Sequence, residues 1–197
     1  MLLVMNSLFA WKNVSPIHAT PKIADIARKN GAVVPFMRSE KTANDYATTL
    51  DVLNEVVDEY EKRGKQFDYL CCIYPTAPFI TSEALISAMS SLQENKADAV
   101  IPVVKFSFPP QRCMIVEDNK LKAKWPEYTN MRSQDLEPFY HDCGQFYCLN
   151  ISSLKVQNKI MMDNVIPFFQ DDINVQDIDT MEDWEIAEMK YKILHQM

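Results

Sequence analysis

Glycine is nearly absent from this chain, and that absence limits what it can fold into more than any other feature. Of 197 residues only Gly31, Gly64 and Gly144 are glycine, where average usage of about 7% would give roughly 14. The dinucleotide-binding fingerprint and the Walker A loop each need two or three clustered glycines, so that backbone N–H groups can close on phosphates. Neither loop can be built here, which removes the common ATPase, kinase and NAD-enzyme architectures.

The remaining composition is that of a globular protein, with 47% hydrophobic and 24% charged residues, and the length suits a single domain over residues 1–197. A chain of this size buries roughly 70% of the surface its unfolded form exposes, so a core forms without disulfides or structural metals. Twenty Lys and Arg against 27 Asp and Glu give a net charge of −7. That sign opposes general affinity for nucleic acid or anionic lipid, and an anionic ligand must meet local basic residues. The five cysteines, Cys71, Cys72, Cys113, Cys143 and Cys148, form no C-x-x-C pair and are odd in number, the usage of reduced thiols. The apolar start lacks a basic region and a cleavage site, and no stretch reaches 18 apolar residues. These features predict a cytoplasmic protein without a membrane partner.

Hydrophobic spacing predicts alternating helices and strands. Pro21 to Asn30 reads as a helix with Ile23, Ile26 and Ala27 on one face and Gly31 beyond its end; Ala32 to Met37 reads as a strand. Thr48 and Asp51 have capping-box spacing ahead of Leu50, Leu53, Val57 and Tyr60, and Gly64 closes that helix. The uninterrupted run Asp68 to Tyr74 suits a strand buried on both faces of a parallel sheet. Ser82 is placed to cap a helix carrying Leu85, Met89 and Leu92, and Ala99 to Val104 is the next strand. From Lys105 to Cys143 the chain turns proline-rich, aromatic and charged, an excursion from the sheet over 104–143. Gln145 to Leu149 and Val165 to Phe169 read as returning strands. Asp183 to Leu194 reads as a helix with Trp184, Ala187, Tyr191 and Leu194 inward. The alternation predicts an α/β protein.

Few residues stand out as chemical. Asp177 and Asp179, at i and i+2, share one side of an extended segment and could hold a hard cation together. Spacing alone is equally met by solvated acids ahead of a helix capped by Thr180 and Asp183. Arg38, Arg112 and Arg132 fall in loops, where a guanidinium suits phosphate or carboxylate. The loop Tyr74-Pro75-Thr76-Ala77-Pro78-Phe79 follows a buried strand, and ligands of open α/β sheets bind beyond the carboxyl ends of strands. His141 and Asp142 are neighbours whose side chains point apart in an extended segment, which argues against a joint catalytic role.

Together, Val33-Val34-Pro35-Phe36-Met37-Arg38, Asp45, the Tyr74–Phe79 loop, Asn130-Met131-Arg132-Ser133-Gln134-Asp135-Leu136, Tyr140 to Tyr147 and Val175 to Trp184 resemble the acylneuraminate cytidylyltransferases in order and spacing from about Lys22 onward. Tyr74-Pro75-Thr76-Ala77-Pro78 and Cys143-Gly144-Gln145 are closest to the pseudaminic acid branch. The resemblance implies a three-layer, mostly parallel sheet of the nucleotide-diphospho-sugar transferase type. It also implies transfer of CMP from CTP to a nine-carbon keto-sugar acid, with Mg²⁺ as cofactor. By motif, Asp177 and Asp179 would be catalytic and hold the metal. Arg38 would serve the nucleotide, Tyr74 and Thr76 the substrate loop, and Arg132, Gln145 and Tyr147 the sugar acid or the dimer side of its pocket. The excursion over 104–143 would form a homodimer.

The family's first strand and its Arg-x-Gly-Ser-Lys-type loop have no counterpart here, so the expected fold is N-terminally truncated, with weakened CTP binding and an opened sheet. The apolar stretch Met1 to Trp11 is the candidate cover for that opening. Asn13 to Pro21 keeps neither the family's acidic turn nor a clean strand pattern. The alternative function is a remnant that only dimerises or binds ligand; another nucleotide-sugar transferase of this fold would instead be indifferent to CTP.

Overall fold

The computed structural model describes residues 2–5, 13–15, 21–44 and 46–196. Among these, seven strands form one sheet: β1 (Leu2–Met5), β2 (Asn13–Ser15), β3 (Tyr69–Ile73), β4 (Ala99–Lys105), β7 (Tyr140–Asp142), β8 (Phe146–Asn150) and β9 (Val165–Gln170). A separate antiparallel hairpin, β5 (Met114–Glu117) and β6 (Lys120–Ala123), turns through Asp118 and Asn119, both at positive φ. The helices are α1 (Pro21–Lys29), α2 (Thr49–Lys62), α3 (Ser82–Glu94), α4 (Ile151–Gln157) and α5 (Met181–Leu194).

Three layers form as expected. Successive strand residues face opposite sides: Leu70 joins Leu53, Val56 and Tyr60 of α2 in one core, whereas Cys71 joins Leu85, Met89 and Leu92 of α3 in the other. The capping box of α2 is present, with Thr48 accepting from the Asp51 backbone and Asp51 accepting from the Thr48 backbone. Thr81, one residue before Ser82, caps α3.

The strand directions differ from the mostly parallel expectation. Among the described residues only β4 and β9 pair parallel; β1–β2, β1–β3, β3–β8, β4–β7 and β4–β8 are antiparallel. The α3 crossover sets β3 and β4 in one direction but leaves a strand's width between them. The chain fills that gap from the far side, since β8 enters on the way back from the excursion. The β3 edge opposite β8 is closed by residues 2–5, so the apolar start does supply a strand there, and β2 extends it. Met1 and residues 6–12 lie outside the described residues.

Three local expectations are corrected. Ala32 to Met37 forms no strand, because Pro35 has no N–H to give to a ladder; Phe36 still buries against Tyr60. In α1 the buried residue is Ala24, and Ile23 and Ile26 are exposed. In α5 only Ala187 is buried, and Trp184, Tyr191 and Leu194 are exposed. The excursion also returns to the sheet before its end, through β7 on the outer half of β4.

Candidate active site

The carboxyl ends of β3, β4 and β9 and the start of β8 meet at one end of the sheet. There β7 and β8 run along β4 as one interrupted track. Val103 faces Asp142 and Val100 faces Cys148, so six residues of the track span what three residues of β4 span. The excess is the bulge Cys143-Gly144-Gln145, and Gly144 at φ +62 is the residue that permits it.

Asp142 ties the bulge down. One carboxylate oxygen accepts from the Gly144 N–H at 2.8 Å and the other accepts from the Tyr147 hydroxyl. Burial, together with that bond to a carboxylate, pushes the Tyr147 phenol well above its ordinary range, so it stays a donor. Burial and the neighbouring Asp142 charge push the Cys143 thiol up to about 12. The Tyr147 ring meets Tyr74 edge-on at 5.6 Å, and the Tyr74 and Thr49 hydroxyls are 2.7 Å apart. The Tyr74 N–H donates to the Gln145 carbonyl at 2.9 Å. The loop after β3 is thus fastened to the bulge and to the start of α2.

Asp177 stands over Gly144. A methyl group built on Gly144 would lie 3.6 Å from Asp177 Oδ2, so the absent side chain leaves the carboxylate an open face. The segment that carries Asp177 is held on both sides. Gln145, only 2% exposed, donates through Nε2 to the Asn174 carbonyl at 2.6 Å. Beyond it, Asp183 accepts from the Asp179 and Thr180 backbones, closing the capping box of α5. The side chains of Asp177 and Asp179 are exposed and, among the described residues, make no hydrogen bond or ion pair.

Tyr74, Gln145, Tyr147 and Asp177 therefore converge, and Asp179 follows two residues on, where the chain bends into the cap of α5. Gln145 contributes as a buried fixture of that segment, a role its motif did not indicate. Thr76 lies half-buried in the turn after β3. Arg38 lies on the irregular segment after α1, and its buried Nε has no hydrogen-bond partner among the described residues. Arg132 is elsewhere engaged, gripping Asp135 through Nε at 2.7 Å and a terminal nitrogen at 3.0 Å. Asp45 lies outside the described residues. Sequence reasoning weighed Asp142 only as a partner for His141 and missed both its hold on Tyr147 and the bulge; the available signal was Gly144 itself, since an isolated glycine inside a strand pattern marks a bulge.

Among the described residues no three His, Cys, Asp or Glu side chains gather around one point. Two carboxylates suffice for Mg²⁺, which usually keeps several waters and completes its octahedron with substrate phosphates. Asp177 and Asp179 fit that requirement, since both carry carboxylate oxygens with no partner among the described residues. A cavity of about 210 Å³, lined by Phe79, Gln145, Phe146, Phe168 and Asn174, adjoins the bulge. A larger one of about 730 Å³, lined by Phe67, Tyr69 and Asn150, lies at the opposite end of β3 and β8. The smaller adjoins the functional end, where ligands of open α/β sheets bind.

No family model matches the sequence. The chain is 30% identical to pseudaminic acid cytidylyltransferase of Campylobacter jejuni over 89% of its own length and 76% of that protein. It is 29% identical to CMP-N,N'-diacetyllegionaminic acid synthase of Legionella pneumophila, covering 85% of this chain and 72% of that one. The structure of CMP:2-keto-3-deoxy-manno-octonic acid synthetase complexed with CTP superposes with a TM-score of 0.54 at 10% identity, covering 90% of this chain and 79% of the other. That likeness establishes the nucleotide-sugar transferase type of fold despite the antiparallel majority. Sequence kinship over three quarters of the Campylobacter enzyme goes further: this chain belongs to the acylneuraminate cytidylyltransferase family.

Proposed function

We propose that the chain transfers CMP from CTP to pseudaminic acid, a nine-carbon keto-sugar acid, with release of pyrophosphate, for glycan biosynthesis. The observation that carries this reading is the Asp177–Asp179 pair, two carboxylates without partners among the described residues, beyond the carboxyl ends of the strands in a chain of this family. In the reaction the anomeric oxygen of the sugar bonds to the α-phosphorus while the bond from that phosphorus to the β-phosphate bridging oxygen breaks. Pyrophosphate leaves and the hydroxyl proton passes to water.

Asp177 and Asp179 would hold Mg²⁺, whose chemistry is to neutralise phosphate charge and orient the displacement. Arg38 brings a desolvated guanidinium N–H with no acceptor among the described residues, suited to an anionic group of the nucleotide. The Tyr74, Tyr147 and Asp142 contacts fix the substrate loop against the bulge, so the residues around the reacting groups are ordered before substrate arrives. Gly144 contributes by carrying no side chain beneath Asp177.

The same reading includes a homodimer formed through 104–143, supported by the exposed Phe108, Met114, Val116 and Leu121 along that excursion. It places the protein in the cytoplasm; among the described residues no helix is long and apolar enough to cross a membrane. Pyrophosphate release from CTP and Mg²⁺ tests the function, with pseudaminic acid beside a sialic acid control. Release is expected to require pseudaminic acid and to fall about 100-fold or more in Asp177→Ala. No release, or equal release from the variant, would refute it.

A further inference from the structure

We propose that Lys190, nine residues into α5 and far along the chain from either carboxylate, is a positioning residue for the metal-binding segment; this rests on the metal role of Asp177 and Asp179 given above. Its side chain is only 18% exposed. It donates to the Asp172 carbonyl at 2.9 Å and to the Val175 carbonyl at 2.6 Å. The Asp172 carboxylate stands farther off, at 3.9 Å, and is itself exposed, so backbone oxygens are the principal partners.

The placement of those carbonyls gives Lys190 its leverage. Asp172–Asn174 is a single 3-10 turn that runs straight into Asp177. Lys190 claims the carbonyls on either side of the Asn174 carbonyl, and Gln145 claims that one. On the far side Asp183 of α5 receives the Asp179 and Thr180 N–H groups. Only Gln176, Asp177 and Ile178 lie between the two anchored points. Two residues of α5, Lys190 and Asp183, thereby hold both ends of a short span with Asp177 at its middle. Releasing the Lys190 end frees backbone torsions that must then be ordered when the cation binds, which weakens binding.

This inference predicts an effect that simple electrostatics does not. Removing a positive charge weakens binding of the anionic nucleotide whether or not the metal is present. Loss of a positioning contact weakens binding only where the metal takes part, and partners that orient metal ligands typically contribute 10–100-fold in affinity. The test uses the full chain with Mn²⁺·CTP, followed by water proton relaxation, beside metal-free CTP binding in EDTA. Lys190→Met keeps the apolar stem and is expected to lower affinity for Mn²⁺·CTP about tenfold while leaving metal-free CTP binding unchanged. Lys190→Arg, which keeps charge and donors, is expected to restore most of the loss. Unchanged or tighter Mn²⁺·CTP binding by Lys190→Met, with Asp177→Ala impaired, would overturn the inference and leave the metal site standing. Binding untouched by Asp177→Ala would overturn the metal site itself and this inference with it. Should Lys190→Met fail to fold, Lys190→Gln is read by the same criteria.

Discussion

Substituting Gly144 by alanine and by valine separates the strain of the bulge from obstruction of Asp177. At φ +62 an alanine enters the left-handed region, at about 1–2 kcal/mol. For a domain of this size that lowers the melting temperature by about 2–8 °C. The new methyl meets Asp177 Oδ2 at 3.6 Å and its carboxyl carbon at 3.7 Å, ordinary van der Waals distances. Asp177 therefore keeps its place, and affinity for Mn²⁺·CTP is expected to stay within about threefold of wild type. Valine adds two methyls ~1.5 Å farther out. They fill two of the three staggered positions, which drives one of them toward the carboxylate in all but one rotamer. The expected loss is about tenfold or more in affinity, with a larger fall in melting temperature because a β-branched residue is poorly tolerated at positive φ. Differential scanning fluorimetry and Mn²⁺ relaxation measure the two effects independently. An alanine variant that melts like wild type but loses the metal, or a valine variant that binds it normally, would refute the reasoning.

Asp98 supplies a pH dependence. Hydrogen bonds from Ser153 first, then from Gln157 and the Asn164 N–H, hold its carboxyl below the usual range. A depressed folded pKa contributes stability that is present above the unfolded value of about 3.9 and lost as pH falls through the folded one. Urea midpoints for Asp98→Asn are expected to vary less than those of wild type across that acid window; parallel curves would count against the assignment. Among the thiols, Cys113 is exposed, Cys71, Cys143 and Cys148 are buried, and burial raises Cys72 to about 11. A thiol-specific disulfide reagent should modify Cys113 quickly and the others only on unfolding; fast reaction of two or more would contradict the burial. Val116→Asp in the exposed hairpin should shift sedimentation equilibrium from dimer to monomer without changing the melting curve of the fold, and a wild-type monomer would remove the dimer proposal.

Legibility in the sequence followed the kind of signal each residue sends. Periodicity reports faces, which is why Leu53, Val57 and Tyr60 of α2 and Leu85, Met89 and Leu92 of α3 were found buried as expected. It carries no direction, so Phe146 to Asn150 reads the same whether β8 runs with β3 or against it. Local chemistry was legible where partners are close in sequence, as in the Thr48–Asp51 and Thr180–Asp183 boxes. Trp184 and Tyr191 misled because an apolar residue at helical spacing need not have a partner surface; α5 is held by Asp183, Lys190 and Ala187 instead. Asp177 and Asp179 were visible as a motif, yet what fixes them was not. Gln145 reaches Asn174 across 29 residues and Lys190 reaches back 15 to Val175; no local pattern records such pairings.

The position of β8 also dictates an order of assembly. Cys71 of β3 and Cys148 of β8 face each other across 77 residues of chain, and β3 and β4 have no direct ladder until β8 separates and joins them. During synthesis β3, α3 and β4 emerge first and must wait, each offering a bare hydrogen-bonding edge, while the whole excursion is made. The centre of the sheet therefore closes only after the long loop between β3 and β8 has been drawn together, with β9 left to join the other edge of β4. Such long-range closure folds slowly, and the interval before it is when the growing chain is most open to pairing with a neighbour's strand.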